Sequence, residues 1–218
     1  MEGKMHNYSG KYLECLLRGN RSACSRLVHR FLKENNSIND LYENVLKVAL
    51  YDIGVLWENN KISVATEHLA TAITEGILNE LFEQIISTNR FNRKVVLTCV
   101  ENERHQVGIK MVADVYEMQG WESYFLGTGI PTHELKRYLR EEEPEILAIS
   151  LSIYFNYKKL IHTIEAVRAD FPNLLIIVGG QAFNHVNVSA LEKIDKVFYF
   201  HDLYVLEQFI KSINKDRK

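Results

Sequence analysis

The apolar residues of this chain change their spacing near residue 94, and that change limits the folds open to it. Ahead of it they recur at helical intervals. Val45, Ala49, Ile53, Leu56 and Trp57 form one such series, and Leu69, Ile73, Ile77, Leu81 and Ile85 the next. Behind it they come in short runs, the first being Val95-Val96-Leu97-Thr98-Cys99-Val100. Runs of that length without alternation suit strands buried on both faces of a parallel sheet. The polar stretch Ser87–Lys94 reads as a linker. Two domains are therefore expected, a helical one over 1–88 and an α/β one over 89–218.

In the first, helices are predicted over Tyr8–Leu17, Ser22–Lys33, Leu41–Trp57 and from a Ser63 cap through Ile86. Ser37 or Asn39 can cap the third. Four helices with short connections make an antiparallel four-helix bundle. In the second, strands are predicted over Val95–Val100, Trp121–Leu126, Ile146–Ser152, Leu174–Val178 and Val197–Phe200. Helices over Gly108–Gln119, Thr132–Glu142 and Tyr157–Asp170 separate them, and another closes the chain. That alternation implies a flavodoxin-like, doubly wound parallel sheet. Ligands of such sheets bind at the carboxyl ends of the strands, so the loops there carry the information.

Composition excludes several classes. Lys and Arg number 26 against 28 Asp and Glu, so no nucleic-acid-binding surface dominates. No apolar run is long enough to span a bilayer, and Met1–Gly10 has no signal-peptide core. The three cysteines lack metal-ligand spacing and are odd in number, which speaks against a disulfide framework and for a reducing cytoplasm.

The loop after the first strand reads Glu101-Asn102-Glu103-Arg104-His105-Gln106-Val107-Gly108. A histidine there can offer an imidazole nitrogen to a metal or act as an acid or base. Glu103 can accept the other ring N–H and fix the tautomer. Gly108 can let the chain turn tightly into the next helix. The third strand ends with the hydroxyls of Ser150 and Ser152, and the fourth runs into Gly179-Gly180, where a ligand can lie against bare backbone.

Glu103-x-His105-x-x-Gly108, then Ser150-x-Ser152, then Gly179-Gly180, resembles the cobalamin-binding domain of methionine synthase, corrinoid methyl carriers and B12-dependent mutases. That family's pattern is Asp-x-His-x-x-Gly, Ser-x-Leu, Gly-Gly. Glu stands here for Asp at 103, and Ser for Leu at 152. The resemblance implies that His105 is the lower axial ligand of cobalt, displacing the cofactor's own base, and that Glu103 orients it. Arg104, Gln106 and Gly108 would line the cofactor. The freed nucleotide tail would pass Ser150 and Ser152 toward Gly179 and Gly180.

The helical half is similar to the cap of light-sensing adenosylcobalamin regulators, the MerR-type repressors of carotenoid genes among them. The stretch Ile53–Thr71 carries that likeness, with nine residues between Trp57 and Glu67. It implies that Trp57, Glu67 and His68 face the upper side of the corrin. An indole can fill the space above a cobalt–carbon bond, and a carboxylate can accept ribose hydroxyl protons. In those repressors a histidine directly follows the Trp; here Glu58 does. The implied protein binds adenosylcobalamin in preference to methylcobalamin between its two domains and serves as a light or B12 sensor and transcription regulator rather than as an enzyme. With no output domain in view, it would signal through self-association or a partner protein, without direct nucleic-acid contact or a membrane. The alternative is a corrinoid methyl carrier serving a methyltransferase.

Overall fold

The structure is a computed structural model that describes residues 2–185, 191 and 193–215. It forms two compact units, Met1–Ile85 and Ile86–Lys218.

The first unit is helical. α1 spans Glu2–Leu17, starting earlier than its apolar period suggests, and α2 spans Arg21–Lys33, with the Asn20 side chain accepting from Ala23 N. Ser37 caps the next helix, which starts at Ile38, three residues ahead of the predicted Leu41. Its Oγ accepts from Asp40 N while an Asp40 oxygen accepts from Ser37 N, a reciprocal capping box. α3 (Ile38–Leu41) then runs through one π-helical turn, Tyr42–Leu46, into α4 (Lys47–Glu58). Asn60, at φ 55°, ends it, with Asn60 N and Lys61 N donating back to the Trp57 and Leu56 carbonyls. Ser63 Oγ accepts from Thr66 N ahead of α5 (Val64–Ile85).

Tyr12, Val28, Phe31, Val45, Ile53, Ile73, Ile77 and Leu81 are buried in this unit. Two members of the predicted apolar faces are instead exposed. Leu69 is 48% exposed and Trp57 46%. Leu69 lies over Gly19 (φ +62°), where a Cβ would come within 2.9 Å of its Cδ2. Trp57 stands in the last turn of α4, beyond the packed part of the helix.

The second unit is a five-stranded parallel sheet, comprising β1 (Lys94–Cys99), β2 (Glu122–Gly127), β3 (Ile146–Ser150), β4 (Leu175–Gly179) and β5 (Val197–Tyr199). The strand order is β2-β1-β3-β4-β5. α6 (Val107–Met118), α7 (Thr132–Glu142), α8 (Tyr157–Asp170) and α9 (Leu203–Lys215) complete the unit. Lys94, assigned to the linker by sequence, already belongs to β1, and β3 stops at Ser150 rather than Ser152. Val96, Leu147, Ile149, Ile176 and Val178 are buried under α7 and α8 residues such as Leu139, Leu160 and Ile164. The order reverses between β1 and β3, which opens a crevice at their carboxyl ends. Among the described residues, no helix is long and apolar enough to cross a membrane.

Candidate functional site

Cys99 pairs with Ser150, and Ser150 with Gly179, so the last residues of β1, β3 and β4 stand in one row across the sheet edge. Each sends out one of the loops singled out in the sequence. Backbone bonds tie these loops together. Val100 N donates to Ser150 O at 3.0 Å, Leu151 N to Gly179 O at 2.9 Å, and Ala182 N to Leu151 O at 3.3 Å. Gly180 makes the last crossing possible. It sits at φ +122°, and a Cβ there would lie 2.2 Å from Leu151 O. Its first requirement is therefore the protein's own backbone. A side chain at Gly180 would therefore disturb the fold itself before it met any ligand. Gly179 is less constrained, with a Cβ meeting Phe200 O at 3.1 Å.

Glu103 also departs from the expectation. Its side chain is 1% exposed and accepts from Ser152 N (3.1 Å), Ile153 N (2.9 Å) and Asn156 Nδ2 (3.1 Å). Among the described residues it makes no hydrogen bond with the His105 ring. A buried carboxylate without a cation needs several donors, and the β3 loop supplies three where an imidazole would supply one. The methylene that distinguishes Glu from Asp adds the reach across to that loop.

The His105 side chain is exposed. Its backbone is held instead, its carbonyl accepting from Cys99 Sγ at 3.4 Å. Burial, and then the nearby Glu103 charge, push the Cys99 thiol up to about 12, so it stays a protonated donor. Asn102, at φ 76°, makes the turn expected of Gly108. Gly108 lies inside α6, where a Cβ would meet nothing within 4 Å, so it leaves the helix surface bare beside the loop. Gln106 takes the N-cap position of α6 and reaches the end of β2, its Oε1 lying 2.6 Å from where a Gly127 Cβ would stand. Arg104 is exposed, Ser150 buried and Ser152 half-buried. Cys99, Asn102 and Asn156 were not singled out by sequence. The only signal for Asn156 was its place just ahead of a predicted helix.

In the helical unit, Val55 and Trp57 are exposed near the end of α4, and Val64 and Leu69 in the first two turns of α5. Glu67 is half-buried in the first turn of α5, accepting from Thr71 Oγ1 at 3.0 Å and contacting His68 Nδ1. His68 is exposed.

Residues 93–202, half of the chain, match the family model described as a B12 binding domain. The chain belongs to that family. A second model of the same description matches residues 9–81. The HTH-type transcriptional repressor CarH of Myxococcus xanthus is 27% identical over 142 residues, 65% of this chain and 47% of the repressor. The repressor CarA of the same organism is 23% identical over 163 residues, 73% of this chain and 54% of its own length. The chain thus spans about half the length of the curated relatives it matches. The solved monomethylamine corrinoid protein of Methanosarcina barkeri has the same fold, with a TM-score of 0.78 at 13% identity, covering 95% of this chain and 98% of that one.

Membership makes the cofactor a cobalamin or related corrinoid, and the residues fit one. A single exposed imidazole is one donor rather than a chelating set, and among the described residues no three His, Cys, Asp or Glu side chains gather to hold a metal ion. One free imidazole nitrogen is what a metal already held in a macrocycle can still accept. Three cross-tied loops and a bare helix start form a firm edge around His105.

Proposed function

We propose that this chain is an adenosylcobalamin-dependent sensor, with His105 as the lower ligand of cobalt and Trp57, Glu67 and His68 selecting what stands above it. The observation that supports this reading most is Trp57. An indole that is 46% exposed in the last turn of α4 leaves a large apolar face for a ligand to cover. Glu67 is fixed nearby in sequence by Thr71, so its carboxylate is positioned without being buried. Cobalamin, when bound, supplies a cobalt–carbon bond that light or a methyl acceptor can break. The chain's own residues supply the selectivity, through an indole for bulk and a carboxylate for hydroxyls. Output through self-association or a partner protein completes this reading. The second reading, a methyl carrier, draws on the likeness in fold to a corrinoid protein over nearly that protein's whole length.

The two separate in one experiment. The chain is loaded with adenosyl- or methylcobalamin and run on size exclusion in the dark and after green light. A sensor prefers the adenosyl form and changes elution on illumination. Equal affinity for both, with unchanged elution, gives the methyl-carrier reading.

The lower ligand has its own test. His105→Ala should shift the visible spectrum of the bound cofactor and weaken binding by at least about tenfold, the equivalent of about 1.4 kcal/mol. Because the ring is exposed and held only through its backbone, the unliganded variant should melt as the parent does. An unchanged spectrum with unchanged affinity would remove His105 from the cobalt.

A further inference from the structure

The β3 loop ends in an apolar tip that no motif singled out. Ile153 is 42% exposed, Tyr154 58% and Phe155 90%, the highest value for any large hydrophobic residue described. Such a tip is ordinarily either mobile or occupied. This one is pinned. Ile153 N and Asn156 Nδ2 both donate to the buried Glu103 carboxylate, and Asn156 N closes a turn onto Ile153 O at 3.0 Å. The turn, Tyr154–Asn156, also packs against the 3-10 turn Gln181–His185 that follows Gly180. Bonds on both sides of the tip thus fix the backbone that carries the Phe155 ring, and the same Glu103 belongs to the loop that carries His105.

We infer that Phe155, with Tyr154 beside it, is a corrinoid-contact residue that raises the affinity of this site. The inference rests on the cobalamin reading above and adds residues that its motifs do not contain. A corrinoid brings a wide apolar surface edged with amide side chains. A phenyl ring covers the first, and the Tyr154 hydroxyl can exchange hydrogen bonds with the second. Because the loop is already ordered, burying the ring costs little further entropy, which is the condition under which apolar contact turns into affinity. The surroundings agree: the tip lies on the loop from β3, next to the crevice between β1 and β3.

The test titrates the whole chain with hydroxocobalamin and follows the visible spectrum. Phe155→Ala should weaken binding by about tenfold or more, the scale of burying one aromatic ring. Phe155→Tyr, which keeps the ring, should stay within a few-fold of the parent. Since the ring is 90% exposed, neither change should move the thermal midpoint of the unliganded protein, so a loss of affinity is not a loss of fold. If Phe155→Ala binds hydroxocobalamin as the parent does, the inference fails and the cobalamin reading stands, the tip then facing a partner protein. If the parent itself binds no corrinoid, both fall.

Discussion

Replacing Gly180 with alanine is expected to lower the melting temperature of the protein by roughly 10 °C and to abolish measurable cobalamin binding. The thermal figure follows from the geometry. An L residue at φ +122° is strained by about 1–3 kcal/mol on backbone grounds alone. The added Cβ would lie 2.2 Å from Leu151 O, and backbone on both sides must move to relieve it. A total of at least about 3 kcal/mol, in a chain of this size, corresponds to a shift of roughly 10 °C. Binding fails for a second reason. Ala182 N donates to Leu151 O across this crossing, so parting the strands there loosens the loops after β3 and β4 together. Gly179→Ala makes the comparison, because its Cβ meets Phe200 O at 3.1 Å and needs only a few tenths of an ångström. Its melting temperature should stay within a few degrees of the parent. Calorimetry on the unliganded proteins measures both. Equal melting temperatures for the two variants would show that the crossing yields more easily than its distances imply.

How legible this was in the sequence differs between the frame and the side chains. Strands and helices of the second unit follow from apolar period and turn residues. Thr132–Glu142 and Tyr157–Asp170 fall where their patterns place them, because both are amphipathic and bounded by loop residues. The ends of β3 and of the first and third helices were less legible. Capping competes with period there: Ser37 and Asp40 begin a helix three residues before its apolar face does. Motif spacing brings Ser150 and Gly179 to one row with Cys99 because sheet register does so. What a motif cannot carry is the direction of a side chain. Glu103 lies two residues from His105 in sequence, yet its partners are 49 to 53 residues away. Trp57 shows the converse. It fits the period of a buried face and is exposed, since period says nothing about where packing stops.

Glu103→Ala is expected to have the second large effect, and it separates two roles for this carboxylate. If it held the His105 ring, its loss would matter only when the ring is in use. In the structure it is the acceptor for Ser152 N, Ile153 N and Asn156 Nδ2 while 1% exposed. Removing it leaves those donors facing a small void. Each buried donor without a partner costs about 1–3 kcal/mol, and water entering the space recovers part of it. A net loss of about 3 kcal/mol from the unliganded protein follows. Amide exchange at Ser152 and Ile153 should then speed up by about a hundred-fold, because local opening there no longer breaks charge-assisted bonds. Glu103→Gln keeps one acceptor oxygen but turns an NH2 toward donors, so it should fall between parent and alanine. Glu103→Asp keeps the charge and loses the reach. It should also exchange faster than the parent, which a role set by charge alone does not require. His105→Ala supplies the contrast, leaving exchange at Ser152 and Ile153 unchanged because its ring is exposed and takes no part in this network. Parent-like exchange in Glu103→Ala would mean that the β3 loop holds its shape without the carboxylate, and that the pinning of the Phe155 tip comes from elsewhere.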